Sequence, residues 1–187
     1  ASWGADGNSK QATSQATTIA TESGVNRGIA YFKAAGNARN NLGTTVVNNQ
    51  RVRLPGFSDH NLDDDNSPFL AHVAALGTNG NFTSYSSPGA GLFISSYGAG
   101  QSGSESGTVT TFRTTSGAFT YTTQMNGTSS ASPVSAGAAA VIKSAKPGMS
   151  PLDLMYIIAK TASPIANART STTYMSAPLG IANKEFI

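Results

Sequence analysis

The 187-residue chain contains no cysteine. That excludes a thiol nucleophile, a disulfide framework and a cysteine-ligated zinc. Charge is also scarce: only 11% of residues are Asp, Glu, Lys or Arg, well below the usual quarter. The basic residues are scattered, and no Lys/Arg cluster interleaves with aromatics, which argues against a nucleic-acid partner. Apolar runs are short. None approaches the ~20 residues that cross a bilayer, so no membrane span is expected. There is no signal-peptide pattern and no initiating Met. The opening Ala1-Ser2-Trp3-Gly4 therefore reads as a start made by cleavage or truncation.

Small residues fill the gap. Gly, Ser, Thr, Asn and Ala dominate, while 39% of the chain is hydrophobic. This mixture favours short strands, tight turns and closely packed small side chains. The length suits one domain with a sizeable core.

Short apolar strands alternate with helical segments, which predicts an α/β fold around a mainly parallel sheet. Ser9 to Ser23 reads as a helix with Ala12, Ala16, Ile19 and Ala20 on one face and Gly24 as its C-cap. Gly28 to Ala35 reads as a strand entering a turn at Gly36-Asn37. Asn40 to Asn66 reads as a long loop. Leu70 to Leu76 is an apolar strand, Gly77 to Asn81 a turn, and Leu92 to Ile94 another strand. Gly107 to Gln124 reads as a hairpin turning at Ser116-Gly117. A helix is expected from about Ser129 to Ala145. Its stretch Gly137 to Ile142 predicts burial, and Pro133 is placed in its first turn. A second helix begins at the N-cap Ser150, with Pro151 at its first position and Asp153 at its positive end, and runs to about Thr161. Beyond Ala162 the tail reads as irregular.

Ser129 lies after a glycine at a strand-to-helix junction. The free amides and positive dipole of a helix start favour negative charge there, as on a tetrahedral intermediate. From spacing alone, an N-cap role for Ser129 is the more economical reading. The segment has neither the Gly-x-Ser-x-Gly pattern nor the lysine of a phosphate-binding loop.

Gly127-Thr128-Ser129-Ser130-Ala131-Ser132-Pro133 resembles the Gly-Thr-Ser-x-Ala-x-Pro motif of subtilisin-like serine proteases, the subtilases or peptidase S8 family. Four further blocks occur in that family's order. Ala34-Ala35-Gly36-Asn37 resembles its Ala-Ala-Gly-Asn turn, and Ser2-Trp3-Gly4 resembles its substrate-binding edge strand. Val73-Ala74-Ala75-Leu76-Gly77 and Ser84-Tyr85-Ser86-Ser87-Pro88-Gly89 resemble the strand and turn between. The blocks cover roughly Ala1 to Ala162. The opening leans toward the kexin/furin branch, where an acidic cluster follows that binds basic side chains. Here only Asp6 stands nearby, so basic specificity is the minor expectation.

The resemblance implies a three-layer subtilisin-like fold, with residues 1–187 forming the C-terminal part of one catalytic domain. It implies Ser129 as nucleophile and Asn37 as side-chain donor to the oxyanion. Ser2, Trp3 and Gly4 would pair with an extended substrate, with Ala34, Ala35 and Gly36 as the facing pocket wall. Asp6 would contact a basic substrate side chain or a calcium ion. Protein or peptide substrates, a propeptide or protein inhibitor, and export from a bacterial cell are further implications. No cofactor is expected for the chemistry. Asp63-Asp64-Asp65 could offer oxygen ligands to a structural calcium. Their spacing matches no EF-hand loop, however, and an acidic surface loop is the more economical reading.

A serine hydrolase of this type also needs a general base and an orienting carboxylate. The family's Asp-Gly and His-Gly-Thr motifs precede the Ser-Trp-Gly strand; no His-Gly-Thr occurs here, and the one Asp-Gly, Asp6-Gly7, follows that strand rather than preceding it. His60 lies in a predicted loop and His72 inside a strand, so both are assigned to structure. The expected arrangement is a partner N-terminal fragment that carries the base. The alternatives are a peptide-binding pseudoprotease and an inactive fragment.

Overall fold

The computed structural model describes residues 15–37, 44–47, 50–53, 70–87, 91–98 and 107–163. Ser2, Trp3, Gly4, Asp6, His60, Asp63, Asp64, Asp65 and the tail beyond residue 163 lie outside them. The elements in chain order are α1 (Gln15–Asn26), β1 (Tyr31–Ala34), β2 (Thr44–Val47), β3 (Gln50–Arg53), β4 (Leu70–Leu76) and β5 (Leu92–Tyr97). They continue with β6 (Thr108–Arg113), β7 (Phe119–Met125), α2 (Thr128–Ala145) and α3 (Pro151–Thr161).

The centre is a three-stranded parallel sheet in the order β1-β4-β5. β4 holds the middle, and its sequence, apolar apart from His72, fits that place, because a central parallel strand is covered on both faces. Val73, Ala74 and Ala75 are all buried. Helix α2 packs across β1, β4 and β5. Its inward stripe is Thr128, Ala131, Ser132, Ser135 and Ala139, the spacing of one helical face. Ala131 meets Ala71, Val73 and Ala75 in the core, together with Phe32 from β1. Small side chains on both surfaces bring helix and sheet close. Ser132 Oγ even reaches the Phe32 carbonyl, at 3.2 Å.

Helix α3 returns against α2 and buries Leu154 and Ile158, one turn apart. It starts as expected. The Asp153 amide donates to Ser150 Oγ at 3.1 Å, and Ser150 Oγ donates to the Asp153 carboxylate at 2.8 Å. Lys143 Nζ donates to the carbonyls of Gly28 and Met149, at 2.7 and 3.1 Å. One ammonium thus joins the end of α1 to the α2–α3 turn.

Several expectations need correction. Helix α1 does not stop at Gly24. It continues to Asn26, and Gly28 is the terminating glycine, at φ 84°. The Gly28 amide donates to the Val25 carbonyl and the Ile29 amide to the Gly24 carbonyl, the paired bonds of a Schellman end. Gly24 is small for another reason: a Cβ there would run into the Tyr31 side chain. Over residues 19–26, the inward residues of α1 are Thr21 and Gly24, while Ile19 and Ala20 are exposed.

The expected 40–66 loop contains an antiparallel strand pair, β2–β3. The β-branched run Thr44 to Val47 supports the first strand. In α2, the 137–142 stretch is mostly exposed. Only Ala139 is buried, and Val141 is 71% accessible. A run of small apolar residues covers every side of a helix, but only one stripe meets the sheet. Pro133 is the sixth residue of α2, past its first turn. It removes the amide that would otherwise pair with the Ser129 carbonyl.

Candidate active site

Two chain segments from opposite ends of the described region meet at the start of α2. The first is the turn after β1. Ala35 extends the parallel ladder, its amide donating to the Val73 carbonyl at 3.0 Å. Gly36 then takes φ 97°, in the left-handed region that favours glycine. Its carbonyl accepts from the Ser87 amide at 3.0 Å. Asn37 follows on the surface.

The second segment is Gly127-Thr128-Ser129. Gly127 is the N-cap residue at φ 90°, and no side chain caps the helix. The N-cap reading of Ser129 therefore fails. Ser129 is the second residue inside α2 and is half-buried.

Thr128 joins the two segments. Its amide donates to Asn37 Oδ1 at 2.9 Å, and its hydroxyl donates to the same oxygen at 3.0 Å. The hydroxyl also accepts from the Gly36 amide at 3.1 Å. Thr128 is fully buried, so its donor and acceptor are both used where water is excluded. With Oδ1 held twice, the donating end of the Asn37 amide is its Nδ2 group. Gly127 must be glycine here. A Cβ would stand 3.2 Å from Asn37 Nδ2 and 3.3 Å from Oδ1, on a backbone that L side chains rarely adopt.

Behind this junction, Tyr85 contacts both flanks. Its hydroxyl donates to the Gly98 carbonyl at 2.9 Å and accepts from the Gly127 amide at 3.2 Å. Ser130 Oγ bonds to Thr108 Oγ1 at 2.6 Å, tying the foot of the β6–β7 hairpin to α2. Ser86 Oγ accepts from the Ala75 amide at 3.0 Å and fixes the turn that carries Tyr85.

Among the residues expected at the site, Ser129, Asn37, Ala34, Ala35 and Gly36 are brought to one place. Ala34 and Gly36 are half-buried, and Ala35 is buried. His72 is buried in β4. It alternates with Val73 and Ala75, which pack toward α2, so it occupies the opposite face of the sheet. Sequence reasoning placed Thr128, Tyr85 and Ser130 inside recognised motifs but gave them no part. Their partners are distant in sequence, 91 residues apart for Thr128 and Asn37, and leave no local trace. Among the described residues, no three His, Asp or Glu side chains gather as a metal site, and no helix is long and apolar enough to cross a membrane.

The arrangement puts a hydroxyl, the amides of a helix start and a fixed side-chain amide side by side. Such a constellation suits attack on a carbonyl and stabilisation of the resulting oxyanion.

Comparison with known proteins identifies the family. An extracellular serine protease of Aeromonas sobria is 34% identical over 79% of this chain and 29% of its own length. The crystal structure of an Aeromonas sobria serine protease in complex with its chaperone superposes with a TM-score of 0.71 at 26% identity. That match covers 90% of this chain and 34% of the solved one. A protease from Pseudoalteromonas arctica gives a TM-score of 0.64 at 26% identity, covering 84% of this chain and 42% of its own. The chain thus spans roughly a third of the length of these relatives. Residues 1–180 match the subtilase family, Peptidase S8. The chain belongs to the subtilase family of serine proteases, and its α/β architecture is that of the subtilisin-like fold.

Proposed function

We propose that this chain contributes the nucleophile and the oxyanion donors of a serine endopeptidase. The general base and its carboxylate would come from polypeptide that precedes these residues in the family order. The observation that carries the reading is the double grip of Thr128 on Asn37 Oδ1, which leaves Nδ2 to donate beside the helix start.

In this reading Ser129 Oγ attacks the scissile carbonyl carbon while the base takes its proton. The carbonyl oxygen becomes an oxyanion, held by the Ser129 amide and by Asn37 Nδ2. The base returns the proton to the departing amine as the C–N bond breaks, leaving an ester on Ser129. Water then attacks the ester by the same route, and the acid product leaves. Ala34, Ala35 and Gly36 form one wall of the pocket, and Ser2, Trp3 and Gly4 pair with the extended substrate. Asp6 lies near enough in sequence to that strand to meet a basic side chain. Structural calcium at Asp63, Asp64 and Asp65 belongs to the same proposal.

Secretion follows from the extracellular relative. A protein partner, such as a propeptide, inhibitor or chaperone, follows from the relative solved with its chaperone.

The test is labelling with a fluorophosphonate in the presence of the complementary N-terminal segment, with the modified residue mapped by peptide mass. Modification at Ser129, abolished by Ser129→Ala, is expected. Modification elsewhere rejects the assignment. If no modification occurs in the assembled pair, the chain is a peptide-binding module.

A further inference from the structure

The Gly127 peptide sits under unusual constraint. Its φ of 90° sets the direction in which the chain enters α2, two residues before Ser129. The Asn37 side chain lies over its Cα. Its carbonyl abuts the end of β5: a Cβ on Gly98 would stand 2.7 Å from that oxygen and 2.6 Å from Ala75 Cβ. The remaining group is its amide. The helix does not use this amide, since an N-cap N–H has no partner within the helix.

We propose that Tyr85 is a positioning residue for Ser129, acting through the Gly127 amide. The Tyr85 hydroxyl gives its hydrogen to the Gly98 carbonyl, so the lone pairs it keeps face the Gly127 N–H. The bonds run in series from Gly127 through the hydroxyl to Gly98, and each polarises the next.

The turn holding Tyr85 is itself anchored. Ser86 Oγ accepts from the Ala75 amide, the Thr83 amide and hydroxyl both donate to the Ala75 carbonyl, and the Ser87 amide donates to the Gly36 carbonyl. The same turn therefore holds Gly36, next to the proposed oxyanion donor, and Gly127, at the root of the proposed nucleophile. Tyr85 makes the relative placement of those two groups a property of one rigid loop. Phenylalanine would fill the same volume while removing this series of bonds. The role rests on the nucleophile reading of Ser129.

Tyr85→Phe in the full chain, assembled with its complementary segment, separates positioning from packing. Two readouts are needed: hydrogen exchange at the Gly127 amide, and fluorophosphonate kinetics resolved into maximal rate and half-saturating concentration. Exchange at Gly127 is expected to rise about tenfold or more, while β4 amides keep their protection. The maximal labelling rate is expected to fall about tenfold at unchanged half-saturation, a loss typical of sub-ångström misplacement.

Unchanged exchange at Gly127 overturns the hydrogen bond. Unchanged labelling overturns the positioning role. A fall in Tm with general loss of β4 protection marks Tyr85 as a packing residue and also overturns it. Wild-type protein that never labels, yet whose Gly127 exchange responds to the substitution, overturns the nucleophile reading and with it the positioning role. That outcome is distinct from the failure of Tyr85 alone.

Discussion

Thr128 grips the side-chain oxygen of Asn37 with both its amide and its hydroxyl, while the same hydroxyl accepts from the Gly36 amide. One buried threonine thus orients the proposed oxyanion donor and closes the turn that carries it. Thr128→Val keeps the shape and the amide bond but leaves the Gly36 amide without this acceptor. Such an orphan costs about 1–3 kcal/mol. The expected result is a Tm lower by several degrees and a lower maximal rate, with Thr128→Ser retaining most of both. Thermal unfolding and steady-state kinetics on the pair of variants check this.

Asn37→Ala removes the side-chain donor. In a subtilisin, loss of the corresponding donor is known to cost about 10²–10³ in kcat, and that order sets the expectation. KM should change little, because the contact is made only as the oxyanion forms. Asn37 Oδ1 also accepts from the buried Thr128 amide and hydroxyl, so its removal strips both of their partner and Tm should fall by several degrees. An unchanged kcat measured well below the unfolding transition would place Asn37 in the scaffold alone.

Gly127→Ala combines a left-handed backbone with a Cβ pressed on the Asn37 amide. The backbone term alone is about 1–2 kcal/mol. Both a lower Tm and loss of activity are expected, and the second should exceed what the first explains at the assay temperature. Measuring kcat well below the unfolding transition separates them.

Ser150→Ala tests a feature remote from the chemistry. It deletes the acceptor for the Asp153 amide at the start of α3. A cap of this kind contributes ~1 kcal/mol. A modest fall in Tm with unaltered kcat/KM is expected by calorimetry and kinetics, and a change in kcat/KM would reveal a link between α3 and the site.

The sequence disclosed these parts unequally. β4 was legible to the residue because six apolar positions, broken only by His72, lie between turn signals and leave little choice. The β6–β7 hairpin and the Ser150 cap were equally clear, since Ser116-Gly117 and Ser-Pro-x-Asp carry their own local chemistry. The end of α1 was misread because two glycines, Gly24 and Gly28, compete for one role, and only tertiary packing of Tyr31 decides between them. The β2–β3 strand pair was hidden by its polar composition, Gln50, Arg51 and Arg53 among it. At the proposed site, Ser129 and Asn37 were singled out through their motifs. The bonds that orient them were not, because Thr128, Tyr85 and Ser130 each reach a partner on another element.

The Ser130–Thr108 hydroxyl pair bridges two regions of very different local stability. On one side lies β4, sealed on both faces. On the other stands the β6–β7 hairpin, with Phe119 and Tyr121 largely in solvent. Exchange-protected amides should therefore cluster in the parallel sheet, while the hairpin opens at far lower free energy. Ser129 sits on the seam. Its neighbourhood belongs to the slow half through Ala131 and to the fast half through Ser130, so partial opening of the hairpin would loosen the serine's flank well before the domain unfolds.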